Sequence, residues 1–173
     1  MQAGGLPRRA LEYLFNAATA KGGAKRVAQG VQGTAMLIKD FVDAGWIELG
    51  TEINIRTKSG LEGRIDAVLI YKADGQVVYV VGEAKNGPFA DLNANQRLYL
   101  REISAGEFEF TGPKGHALNF ELMKLNATQV GAVVRSFGGS PAENRPVGKA
   151  VNDAFRDAAS RGGIRGGWLG SGD

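Results

Sequence analysis

Two apolar runs meet at Asp74-Gly75, and no other feature of the chain restricts its fold as much. Residues 64–71 and 76–84 are rich in Val, Ile and Tyr, and Asp-Gly is a preferred pair for the two-residue turn of a β-hairpin. With Asp74 and Gly75 as the loop, Ala73 faces Gln76, and counting back along both strands sets Asp66 opposite Glu83. Directly opposed residues project from one face with Cβ atoms about 4.5–5.5 Å apart. Lys85, two residues beyond Glu83, projects from that face as well. Opposed carboxylates repel, so a hairpin built only for stability avoids this pairing. A divalent cation removes the penalty, and hard oxygen ligands suit Mg2+ or Mn2+. Zinc is not suggested, because the chain has no cysteine and a single histidine, His116.

The elements around the hairpin alternate in type. Residues 8–20 have helical periodicity and carry Glu12, which reads either as a solvated carboxylate or as a metal ligand on a helix crossing the site. Residues 31–45 are a clearer helix, with Val31, Ala35, Leu37, Ile38, Phe41 and Val42 as its apolar stripe and Gly45 as its stop. Residues 46–56 alternate as a first strand, with an irregularity expected near Gly50. Asn86-Gly87-Pro88 ends the hairpin, and residues 91–104 read as a helix with Leu92, Gln96, Tyr99 and Ile103 on one face. Gln96 is the polar member of that face: it either looks toward the charged residues or is a buried amide bonded to backbone. Arg64 is a candidate phosphate contact, and Arg97 and Arg101, a pair four residues apart on another face of the helix, read either as phosphate contacts or as a solvated face.

Further along, residues 107–111 and 117–122 read as short strands around a Gly-Pro-Lys-Gly turn, with His116 as a surface histidine. Residues 126–137 fit a helix or a strand. The expected organisation is a basic helical segment over 1–30, a core over 31–137 and a Gly/Arg-containing extension over 138–173. The two Arg-Gly-Gly steps and Trp168 in the extension suit either contact with single-stranded nucleic acid or a tail that packs its Trp.

Charge follows the same division. Residues 1–30 carry five Lys/Arg against one acid, residues 31–139 eleven against thirteen, and residues 140–173 five against four. Basic margins around a mildly acidic centre suit a metal-binding core that approaches phosphate backbones. The absence of cysteine excludes disulfides and thiolate metal sites, and one histidine excludes a multi-histidine centre. No apolar run approaches the roughly 18–20 residues of a membrane span, and the N-terminus lacks the apolar segment of a secretory signal, so the expectation is a soluble chain without membrane contact.

Asp66, then sixteen residues, then Glu83-Ala84-Lys85 on antiparallel strands, preceded by helix and strand and followed by a helix, resembles the PD-(D/E)XK nuclease superfamily over residues 31–104. Ile65 stands where the motif's name has Pro. The resemblance implies an α/β (α+β), restriction-endonuclease-like core: a central mixed sheet, the hairpin carrying the site, and helices on both faces. It implies Mg2+ or Mn2+ held by Asp66, Glu83 and the Ala84 backbone carbonyl, with Lys85 acting on the attacking water and Gln96 supporting the site. Many members add an acidic residue from the helix before the first strand. Here that helix offers Gln29, Gln32 and Thr34 and no carboxylate before Asp40, leaving Glu12 or Gln32 to complete the site. Residues 82–97, with Gly87, Pro88, Asn95 and Gln96 after Glu83 and Lys85, also look like nuclease domains of bacterial polymorphic toxins. That likeness implies a cognate immunity protein and action in the cytoplasm of a target cell. The expected substrate is nucleic acid, DNA favoured, with an RNase (tRNase) of the same fold as the alternative. The rival reading is a non-catalytic nucleic-acid- or protein-binding module with Asp66, Glu83 and Lys85 as a charged surface network.

Overall fold

A computed structural model describes residues 25–73, 76–127 and 129–144. Their order is α1 (Lys25–Asp43), β1 (Ile47–Thr57), β2 (Glu62–Ala73), β3 (Gln76–Asn86), α2 (Ala94–Ser104), β4 (Phe108–Thr111), α3 (Gly112–Lys124), β5 (Gln129–Phe137) and a 3-10 turn (Ala142–Asn144). The fold is α+β, with one mixed sheet ordered β4-β1-β2-β3-β5. All neighbours are antiparallel except β3 and β5. A parallel pair needs a long crossover, and α2, β4 and α3 occupy it.

Each face of the sheet has its own apolar layer. Ala35, Leu37, Ile38 and Phe41 of α1 pack on Ala67, Leu69, Val78, Val80 and Val133. The other layer joins Tyr99, Leu100 and Ile103 of α2 and Leu118 and Leu122 of α3 to Ile53, Ile55, Val68, Val81 and Val134. The approach of α1 to β3 is close: a Cβ on Gly82 would lie 3.0 Å from Leu37 Cδ2. The chain leaves α1 through Gly45, whose φ of 96° favours glycine. As α1 begins at Lys25, it runs across the boundary expected after residue 30.

The hairpin has the expected register, from Ala73↔Gln76 to Ala67↔Gly82, and β1 has its irregularity between Glu48 and Gly50. The ladder then stops one pair short of Asp66 and Glu83. Ile65, Val68 and Ile70 all pack on the α2 side while Ala67 and Leu69 pack on the α1 side, so β2 switches faces at Asp66. Opposite this point, the β1 register passes from Thr51↔Ala67 to Ile53↔Ile65 across Glu52, which has a left-handed φ of 51°. The two strands are distorted together, and Asp66 is freed from the ladder.

Residues 117–122 are not a strand: they lie within α3. Pro113 in its first turn favours helix, and Leu118 and Leu122, four residues apart, both point inward. Phe120, which alternation would place beside them, is 57 % exposed. Residues 126–137 resolve as β5, preceded by a turn in which Asn126 has a φ of 53°. The helix expected over 91–104 starts at Ala94, because Asn93 caps it. His116 is exposed on α3, and none of the described helices is long and apolar enough to cross a membrane. The expected helix over 8–20, with Glu12, and the Arg-Gly-Gly segment with Trp168 lie outside the described residues.

Candidate active site

A cleft of about 560 Å3 opens where β2 and β3 stop pairing, flanked by the N-terminal half of α1 and the start of α2. Asp66, Glu83, Ala84, Lys85, Gln96 and Arg64 all line it. Arg97 and Arg101 do not: Arg97 is half-buried elsewhere on α2, and Arg101 is exposed in the last turn. Gln32 is exposed on α1 and does not line the cleft; that helix presents Val27, Gly30, Val31 and Thr34. The Thr34 hydroxyl donates to the Gly30 carbonyl at 3.3 Å. The described part of α1 therefore supplies no third carboxylate.

Splaying of the hairpin leaves the Ala84 N–H without a partner on β2, and the Asp66 carboxylate takes its place, with Oδ2 accepting at 2.8 Å. On its other side β3 stays paired with β5, Glu83 opposite Val134 and Lys85 opposite Ser136, so the site strand is braced along one edge. Glu83 is 2 % exposed. Its Oε1 accepts from the Tyr99 hydroxyl at 3.1 Å, and its carboxyl shares a hydrogen bond with that of Asp66. Tyr99 in turn is hydrogen-bonded by the Gln96 side chain. Gln96 also closes a capping box: its Oε1 accepts from Asn93 N at 3.0 Å, and its N–H donates to Asn93 Oδ1 at 2.8 Å. The chain of contacts runs from the α2 cap to the carboxyl pair.

Loss of hydration on burial pushes both carboxyls up from their ordinary range, Glu83 well up. For Glu83 the second cause is the charge of Asp66. The shared hydrogen bond lowers Asp66 and raises Glu83, which makes Glu83 the protonated partner. The Ala84 N–H and the Lys85 and Arg64 charges also favour ionised Asp66. Burial, then the charge of Glu83, pushes the Tyr99 hydroxyl up, so it remains a donor at any ordinary pH.

Tyr99 is the functional residue that sequence reading missed as such. It was legible as a core position, and its spacing of three from Gln96 on one helix face was the available signal for a link between the two. Gly63 belongs with it: a Cβ there would lie 2.6 Å from Tyr99 Cε1, so the ring reaches Glu83 only over a glycine. Glu52 and Glu62 also line the cleft, Glu62 bonded to Arg56 at 2.9 Å. Their distance in sequence from Glu83 hid them.

The donors fit a hard divalent cation in kind, with two carboxylates and a backbone carbonyl beside an open, polar cleft. Among the described residues no group of three or more His, Asp or Glu side chains is arranged to hold a metal, so a cation here would keep several waters, as Mg2+ commonly does. Comparison with known proteins adds nothing to this picture: no protein-family model, curated protein or solved structure matches the chain.

Proposed function

We propose that this protein is a metal-dependent nuclease with a PD-(D/E)XK-like, restriction-endonuclease-like core. Its reaction is hydrolysis of phosphodiester bonds, with DNA the favoured substrate and RNA the alternative. The observation that carries the reading is the contact between the Asp66 and Glu83 carboxyls in a cleft that also takes Lys85. Two carboxyls held together at a cost to their own ionisation are poorly explained as scaffold, and a cation would relieve that cost.

In this reading Asp66, Glu83 and the Ala84 carbonyl hold Mg2+ or Mn2+. Bound there, the cation supplies charge neutralisation at the phosphoryl oxygens and a more acidic water. Lys85, on the same face as Glu83, directs the attacking water and helps to remove its proton. Tyr99 fixes Glu83 through its hydroxyl, and Gln96 fixes Tyr99. Arg64 at the cleft wall meets a substrate phosphate. The likeness of residues 82–97 to toxin nucleases supports a toxin role in a target cytoplasm, with an immunity protein as partner.

The test is direct. Purified protein with Mg2+ or Mn2+ is expected to cleave DNA or RNA, and chelation should stop it. Asp66→Ala, Glu83→Ala and Lys85→Ala should each lower the rate by about a hundredfold or more, the scale of losing a group that acts on the reacting centre. Full activity in any one of them refutes the assigned roles.

A further inference from the structure

Phe89 is 97 % exposed, the most exposed large apolar side chain among the described residues. It does not sit on a slack segment. The loop that carries it starts at Gly87, whose φ is 112° and whose N–H donates to the Phe137 carbonyl at 3.0 Å. It closes through the Ala90 N–H to the Gly87 carbonyl at 3.1 Å. The Ala90 carbonyl then accepts from the Ser140 hydroxyl at 2.6 Å. Gly138 packs so tightly below that a Cβ would lie 2.5 Å from Asn86 Oδ1 and 3.0 Å from Gly87 N. The loop backbone is thus tied at one end to the last residue of β5 and at the other to the segment after it, and it presents Phe89 to water.

Its surroundings give the ring a use. Ala90, the next residue, lines the cleft, as does Val27, 71 % exposed on α1. The loop is tied to that helix through Asn86 Nδ2, which donates to the Gln29 carbonyl at 2.9 Å. Phe89 does not itself line the cleft but adjoins its rim through Ala90, and the cleft beyond is polar, with Arg64 for phosphate and Asn93 and Asn95 for base edges. An aromatic face beside cations and amides matches an unstacked nucleobase and its phosphate. In an intact duplex those base faces are already covered.

We propose that Phe89 is a stacking platform for an unstacked nucleobase, so that the cleft takes single-stranded or locally unpaired nucleic acid in preference to intact duplex. This rests on the nuclease reading, because the cleft is taken to receive the phosphate next to the stacked base.

The experiment compares the full chain with Phe89→Ala and Phe89→Trp. It uses fluorescein-labelled single strands of DNA and RNA and the corresponding duplexes, with binding read by anisotropy in chelator and cleavage read in Mn2+. Phe89→Ala should weaken binding and raise KM for single strands about tenfold, the scale of one stacked base, with little change for duplex. Phe89→Trp should restore both, and the emission it adds should be quenched by the single strand. Phe89 is exposed, so neither variant threatens folding. If the wild type cleaves and Phe89→Ala behaves like it on single strands, the platform is overturned and the nuclease reading stands. If single strands bind through Phe89 but nothing is cleaved, the platform stands and the nuclease reading fails. Equal weakening for strand and duplex overturns the single-strand preference. So does a dimer that Phe89→Ala dissociates with oligonucleotide affinity unchanged, which would make the ring a contact between copies. A wild type that neither binds nor cleaves overturns both ideas.

Discussion

Glu83 combines deep burial with a second carboxyl in contact, and both raise its pKa. The folded protein therefore holds protons on this pair that the unfolded chain releases. The stability this contributes is fully present below the ordinary carboxylate range and is lost as pH rises through the raised folded values. Glu83→Gln keeps the geometry, since its amide can donate to Asp66 and accept from Tyr99, while the titration at position 83 disappears and only that of Asp66 is left. Metal-free Glu83→Gln should match the wild type at about pH 4 and exceed its Tm by several degrees at about pH 8, as followed by thermal denaturation. A constant difference across that range would mean that the pair does not titrate this way. Tyr99→Phe tests the next residue along. The Tyr99 bond lowers the Glu83 pKa, so its loss should move the rise of activity to higher pH and reduce metal affinity about tenfold, with the fold intact. The meeting of Asp66, Glu83 and Lys85 at one cleft was legible because the register counted from the hairpin turn leads to it, even though the alternation of β2 breaks at Asp66. The hydrogen bond of Asp66 to Ala84 N was not, because it depends on where pairing stops.

The hairpin was readable at the level of elements because its turn, periodicity and register are all local. The α1 stripe was readable for the same reason. Residues 117–122 misled because Leu118, Phe120 and Leu122 satisfy alternation and Leu118 and Leu122 also satisfy a spacing of four; only the preceding Pro113 favours the second. A pair of substitutions separates the two readings in solution. Leu118→Ala should cost about 2–5 kcal/mol, as for a buried leucine, and Phe120→Ala less than about 0.5 kcal/mol, both from denaturant unfolding. A strand would have put both side chains on one face and made the two costs similar. The parallel pairing of β5 with β3 had no local signature at all. It joins residues some fifty positions apart, from Val78↔Gln129 to Asn86↔Phe137, and the chain between them could have returned to the sheet at either edge.

That pairing links the site to the whole molecule. Beyond Gly82 the site strand has lost β2 and is held by β5 alone, with the freed edge turned to Asp66. The native state thus stores an electrostatic penalty at the point where its sheet opens, and a cation bound by the native state alone would repay it. Binding displaces the proton shared by Asp66 and Glu83, so affinity must rise with pH. The stabilisation follows RT ln(1 + [L]/Kd): a cation at ten times its Kd contributes about 1.4 kcal/mol, or about 4 °C in Tm for a chain of this size. Mg2+ or Mn2+ at millimolar concentration should therefore raise Tm by several degrees at about pH 8 and by little at about pH 5, where the proton competes. Asp66→Asn combined with Glu83→Gln should abolish the increment at both. Ca2+ added at the same ionic strength separates size-selective binding from any dication effect, and NaCl separates both from screening. An increment that survives in the double variant, or that is independent of pH, would place the cation elsewhere on the protein and remove the metal from the carboxyl pair.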